Sequence, residues 1–202
     1  MDEKKDIKSF NLKELKEEME TIGEAEKSDG IVVLDAGHGG TDSGKVGING
    51  VKEKDINLTI TNSVKKILEK ENIQVIMTRE TDEQLAQSKV EDLKYRVKIM
   101  NEVSPVLAVS IHQNSYHEEA IFGGQVFYYK DSAEGKRLAE ILQKRFDFVL
   151  GEKNRRLAKP NGNYYLLLHV KCPIVIVECG FLSNRKEAAL LQDPEYQDRM
   201  AW

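Results

Sequence analysis

Three apolar runs in this chain, IVVLD (31–35), PVLAVSI (105–111) and PIVIVE (173–178), are too continuous to be half-exposed strands. They read as strands buried on both faces, which is the pattern of a parallel sheet covered by helices. IQVIMT (73–78) and GGQVFYY (123–129) are two further strands. Between the strands lie segments of helical period. Residues 55–70 put Ile60, Val64, Ile67 and Leu68 on one face. Residues 89–103 carry Leu93, Val97 and Met100, and residues 133–150 carry Leu138, Ile141, Leu142 and Phe146. A helix around 185–192 follows the last strand, and a final helix runs into Ala201-Trp202. The segment between the 133–150 helix and the last strand reads as a loop rich in Gly, Asn and Arg with an apolar patch. Strands alternating with helices predict an α/β fold, a mainly parallel twisted sheet with helices on both faces in a single domain.

Charge divides the chain in two. Residues 1–29 hold 10 acidic and 6 basic side chains, whereas residues 30–202 hold 24 of each. The body therefore lacks the basic excess expected of a nucleic-acid-binding protein. In the N-terminal segment Leu12, Leu15, Met19 and Ile22 form a helical stripe, so residues 1–29 read as a charged amphipathic appendage and residues 30–202 as the body of the fold. No apolar run reaches the roughly 20 residues that span a bilayer. The two cysteines, Cys172 and Cys179, flank one strand and would lie roughly 23 Å apart along it, which predicts free thiols.

In an open α/β sheet the carboxyl ends of parallel strands share one edge, where ligands bind. The first of the three apolar runs leads to His38 in LDAGHGGTDSG, the second to His112 in SIHQNS, and the last to Glu178 in VECGFLSN. Glu53, in VKEKD, lies in the loop that leads from the glycines to the next helix. Two histidines and two glutamates at one edge suggest a metal. Catalytic zinc commonly takes three protein ligands, His₂Glu among them, and keeps a fourth position open. The carboxylate left over then acts as general base. The bland alternatives are a structural strand-end histidine and a solvated charged loop; for Glu178, burial directly after IVIV without a partner is costly. His117 and His169 have no such context and read as structural. GGTDSGK (39–45) imitates the start of a phosphate-binding loop, but Val46 stands where Ser or Thr should hold Mg²⁺, and no helix starts there. A Cys179 nucleophile lacks a histidine placed by the pattern.

The segments LDAGHGGTDSG, VKEKDINL, TRETD with YRVKIMN, SIHQNS and IVECGFLSN occur in order over residues 31–200. In them the chain resembles the zinc-dependent N-acetylmuramoyl-L-alanine amidases of bacterial cell-wall hydrolases, and IVECGFLSN looks most like the germination-specific amidases of spore formers. The resemblance implies one zinc ion held by His38, Glu53 and His112, with Glu178 as general base. The reaction it implies is hydrolysis of the amide between N-acetylmuramic acid and L-alanine in peptidoglycan, trimming stem peptides in the spore cortex. Gln113 and Asn114, next to His112, are spatial candidates for hydrogen bonds to the glycan or stem peptide, and Arg79 and Arg96 match the family pattern but read as ion pairs that hold loop and helix. The resemblance also implies an extracytoplasmic location, in the cell wall or the forespore intermembrane space, with an export signal already removed. An arginine expected near Leu168 is absent. The alternative is a peptidoglycan-binding or regulatory protein on the same fold, inactive without an activating protein partner.

Overall fold

The computed structural model describes residues 30–151 and 154–202. The stripe expected at Leu12, Leu15, Met19 and Ile22 lies outside them. In chain order the elements are β1 (Val32–Ala36), α1 (Glu53–Lys70), β2 (Val75–Met77), α2 (Lys89–Val103), β3 (Leu107–Asn114) and β4 (Gln125–Tyr129). They continue with α3 (Ala133–Leu150), β5 (Lys159–Asn161), α4 (Tyr165–His169), β6 (Ile174–Phe181), α5 (Arg185–Leu190) and α6 (Pro194–Ala201). The strands form one sheet in the order β2-β1-β3-β6-β4-β5.

Pairing is parallel across β2, β1, β3 and β6, and antiparallel where β4 meets β6. The reversal has a simple cause. β3 leaves the sheet at its carboxyl edge, and residues 115–124 are too few to return the chain to the opposite edge, as a parallel neighbour would need. The chain steps over the end of β6 instead and starts β4 there. Gln125 consequently faces Glu178 in register. β5 pairs parallel to β4, and with α4 it gives regular structure to the stretch read as a loop. Three-residue strands and five-residue helices carry too little periodicity to stand out from a sequence.

Alternation along the strands sorts the core into two layers. Leu34, Leu107 and Val175 point to the face covered by α1, α3 and α6, while Val33, Ala108, Ile174 and Ile176 point to the face covered by α2 and α4. An apolar cleft of about 150 Å³ opens on the first face, lined by Leu34, Val64, Leu138, Phe146 and Trp202. Helix starts follow their caps: Ser88, Ser132, Asn184 and Asp193 each accept a backbone N–H of the first turn of α2, α3, α5 and α6. α1 has no side-chain cap; its first turn instead carries Glu53 and Asp55, which suit the positive end of the helix dipole. Cys172 is half-buried and Cys179 buried; both are free, and burial pushes both thiols up to about 12.

Candidate active site

The carboxyl edge of β1, β3 and β6 gathers the side chains singled out from the sequence. β1 ends at Ala36, and the chain turns through Gly37 into His38, whose backbone is left-handed at φ 62°. Left-handed backbone at a residue other than glycine is uncommon and collects at functional sites. Gly37 has no alternative here, because a β-carbon on it would come within 2.2 Å of the ring of His112. Gly44, at φ 62°, lies so close to Glu53 and His38 that a side chain would strike both. Replacing Gly37 by alanine is expected to displace His112 and to lower activity far more than a surface Gly→Ala change such as Gly50→Ala. Steady-state rates of the two variants compare them.

Glu53 is the first residue of α1 rather than part of the preceding loop, and it is buried. Its Oε2 accepts from Lys45 N–H at 2.7 Å and its Oε1 from Gln113 N–H at 3.0 Å. Oε1 also lies 2.9 Å from His112 Nδ1 and 3.3 Å from His38 Nε2. One ligand-capable atom from each of His38, Glu53 and His112 falls within 4.8 Å of the others. The two imidazoles meet edge to face, centroids 5.0 Å apart. Burial opposes ionisation of Glu53, but the two histidines outweigh it and hold its carboxyl far below the ordinary range. Burial alone would lower the His38 pKa; Glu53 and Asp42 overcome this and raise it to about 9. Asp42 Oδ2 sits 2.8 Å from His38 Nδ1, and its other oxygen pairs with Lys89. A carboxylate on the second nitrogen of a ligand-capable imidazole fixes its orientation.

Glu178 faces His112 across the β3·β6 ladder. Its Oε2 is buried without a hydrogen-bond partner. Burial, reinforced by Glu53 and opposed by the two histidines, pushes its carboxyl up to about 7. A carboxylate poised near neutrality suits proton transfer in either direction. The donor set of two imidazoles and a carboxylate, with an orphaned carboxylate oxygen beside it, fits zinc in a catalytic site.

A second buried network stiffens this edge. Asp35, fully buried, accepts from Thr78 at 2.6 Å, Ser110 at 2.5 Å and Arg96 at 2.7 Å. Arg96 also pairs with Asp92 and donates to the carbonyls of Ala36 and His38. Burial raises the Asp35 pKa, but Arg96 and the hydroxyls more than reverse this and bring it down to about 2. The ion pairs expected of Arg96 are therefore present. Arg79 differs from expectation. Its hydrogen bonds go to the backbone carbonyls of Ala36, Gly37, Lys54 and Thr81. These carbonyls lie at the end of β1, in the turn after it, in the first turn of α1 and in the loop after β2, and one guanidinium ties the four segments together.

Against the sequence-based expectations, His38, Glu53, His112 and Glu178 all meet at one edge. Gln113 is buried under the site, its amide donating to Asn57 at 3.1 Å, and Asn114 is half-buried with its side chain turned to Ser115 N–H. His117 is exposed beside Tyr116, and His169 is exposed and stacked on Tyr165. Asp35, Asp42 and Asn57 were not anticipated. Asp35 carried the same signal as Glu178, a carboxylate ending an apolar run.

Residues 32–202 match the family model described as N-acetylmuramoyl-L-alanine amidase. The chain belongs to the N-acetylmuramoyl-L-alanine amidase family. It is a peptidoglycan amidase, like the relatives it resembles. It is 40% identical over 179 residues to the germination-specific N-acetylmuramoyl-L-alanine amidase of Bacillus subtilis, covering 85% of this chain and 75% of that one. Among solved structures, the CwlD amidase from Clostridioides difficile, in complex with the GerS lipoprotein, superposes with a TM-score of 0.83. That pair shares 38% identity over 86% of this chain and 93% of the other. The catalytic domain of the amidase CwlV from Bacillus (Paenibacillus) polymyxa var. colistinus gives 0.74 at 35% identity, over 85% of this chain and 91% of the other. The amidase fold thus agrees with the α/β reading of the sequence. No described helix is long and apolar enough to cross a membrane.

Proposed function

We propose that this amidase is zinc-dependent, with one ion held by His38, Glu53 and His112, and that it cleaves stem peptides from spore-cortex peptidoglycan outside the cytoplasm. The observation that carries the reading is the convergence of the three ligand atoms within 4.8 Å, beside a carboxylate that has a buried, unpartnered oxygen. Zinc in such a site supplies Lewis-acid polarisation of a carbonyl and a nucleophile at neutral pH. The chain's own residues do the rest. Glu178 takes a proton from the attacking water at its carboxylate, holds it in an environment that tolerates the neutral form, and returns it to the departing alanine nitrogen. Asp42 orients His38, and the backbone N–H groups of Lys45 and Gln113 orient Glu53. Gln113 acts by supporting that floor, and Asn114 remains the residue proposed to reach substrate.

The cortex assignment rests on likeness to the germination-specific relative. Incubation with purified cortex peptidoglycan, followed by mass spectrometry, is expected to release peptides beginning at L-alanine, and a chelator is expected to stop the release. Release that persists at full rate under chelation would overturn the metal. His112→Ala is expected to lower bound zinc from one ion per chain to well below it, read by elemental mass spectrometry, with the fold intact by circular dichroism.

A second reading, that activity needs a protein partner, is favoured by the lipoprotein bound to the Clostridioides difficile relative. On that reading the purified chain releases peptide only after a partner from the same cell envelope is added.

A further inference from the structure

We propose that Arg156 binds a carboxylate of the stem peptide, on the peptide side of the scissile amide, and makes that carboxylate a specificity determinant. The inference rests on the peptidoglycan amidase reading and concerns how the site tells one stem peptide from another.

Arg156 stands next to the catalytic edge for a topological reason. β4 starts at that edge, so Gln125 is the register partner of Glu178. α3 then returns the chain to the same edge, and the segment entering β5 lays Arg156 against Gln125. Its Nη1 donates to Gln125 Oε1 at 3.2 Å, and its Nε donates to the carbonyl of Phe122 at 2.8 Å. The guanidinium lies 4.4 Å above the ring of Phe181, the residue that ends β6. Three contacts thus hold the plane of the group while its Nη2 has no acceptor among the described residues.

The charge is equally unspent. Among the described residues no carboxylate lies within ion-pair distance of Arg156. Glu187 exerts the opposing field, but its two oxygens are used by Gly123 N–H and Phe181 N–H. The other buried arginines behave differently: Arg96 is locked onto Asp35 and Asp92, and Arg79 spends its donors on four carbonyls. A guanidinium that is held in place, with no carboxylate at ion-pair distance, is ready to take one from a ligand. A second cation lies on the same side of the edge. Lys159, in register with Phe127 on β5, sits 5.9 Å over that ring and has no ion-pair partner among the described residues.

The substrate has the matching chemistry. Beyond L-alanine the stem continues as a peptide with free carboxylates, and a planar guanidinium with parallel N–H groups recognises a carboxylate better than an ammonium does. Peptides amidated at that carboxyl would lose the contact.

The test compares the full chain and R156Q on N-acetylmuramoyl-L-alanyl-D-glutamate and on its amidated form. Binding of the product dipeptide L-alanyl-D-glutamate and its diamide is measured alongside. Wild type is expected to prefer the free acid, and R156Q to raise KM for it by about 10- to 100-fold, the size of a charge-assisted hydrogen bond. The amidated substrate is expected to keep its kcat within about twofold in R156Q. The dipeptide is expected to bind wild type more tightly than its diamide, and R156Q to bind both equally. Equal loss of kcat on both substrates would mean that Arg156 only props Gln125 beside Glu178, and it would overturn the proposal. So would an R156Q variant that keeps the acid preference, or a wild type that binds dipeptide and diamide equally. If wild type cleaves neither substrate yet shows the dipeptide preference that R156Q loses, the carboxylate site stands and the missing turnover falls to the partner of the second reading. R156K keeps the charge and the stacking without the fork; if R156Q fails to fold, partial loss of acid preference in R156K supports the proposal and full retention overturns it.

Discussion

Replacing Glu178 by glutamine is expected to lower kcat by about 10²- to 10⁴-fold, the range lost when a positioned proton-transfer group is removed. Glutamine keeps the shape of the side chain and cannot accept the proton. Zinc content should be unchanged, because the ligand-capable cluster is His38, Glu53 and His112. Stability should not fall either, and the sign follows from linkage. The Glu178 carboxyl titrates near 7 in the fold, above its ordinary 4.5. The native state therefore binds this proton more readily than the unfolded chain does, and the fold loses stability as pH rises from about 4.5 to about 7. At pH 8 the ionised carboxylate, with one buried oxygen unpartnered, is a burden that glutamine removes. The expected result at that pH is a variant with a Tm equal to or above that of wild type, normal zinc and almost no turnover. Turnover within threefold of wild type would remove Glu178 from the chemistry. A lowered Tm with lost zinc would instead make it a structural part of the metal centre.

Asp35→Ala is expected to have the largest effect on the fold. It leaves Arg96 buried at 1% exposure with only Asp92 as counter-ion, and it strands the hydroxyls of Thr78 and Ser110. Breaking a buried pair by removing one partner costs about 3–5 kcal/mol. In a domain of this length that lowers Tm by roughly 10 °C. The damage should reach the active site, because Arg96 also holds the carbonyls of Ala36 and His38. Zinc affinity measured by competition with a chelating dye is expected to fall with Tm. The pH dependence has the opposite sign to that of Glu178. The folded-state pKa of Asp35, about 2, lies below its ordinary 3.8, so its stabilisation is fully present above about 4 and is lost as pH falls through 2. Urea titrations of wild type and variant should therefore differ most near neutrality and converge toward pH 2. A difference in Tm below about 2 °C at pH 7 would show that the network contributes little.

These two carboxylates show how far the sequence could be read. Both follow an apolar run, IVVL before Asp35 and IVIV before Glu178, and the local pattern does not separate them. Their pKa values are driven in opposite directions by their surroundings: Arg96, Ser110 and Thr78 lower that of Asp35, whereas burial, with no hydrogen-bond partner for one oxygen, raises that of Glu178. The continuous apolar strands were legible because burial on both faces leaves no alternation to misread. The helices at 89–103 and 133–150 were legible because their periodic residues recur over several turns. β5 and α4 were not, being too short to show a period. Glu53 was read into a loop because nothing local marks an uncapped helix start.

What the sequence determined by itself was the layered α/β order of elements and the four residues that would meet. Parallel strands buried on both faces must bring their carboxyl ends to one edge, so residues 140 positions apart, His38 and Glu178, could be assigned to the same place before any contact was known. What only the tertiary structure decided was the electrostatic state of that edge. The antiparallel entry of β4 sets Gln125 opposite Glu178 and Arg156 against Gln125, and Arg96 reaches Asp35 across 61 residues. Such effects depend on distance, burial and the presence or absence of a partner. These are properties of pairs of residues in space, and no single stretch of sequence contains both members of the pair.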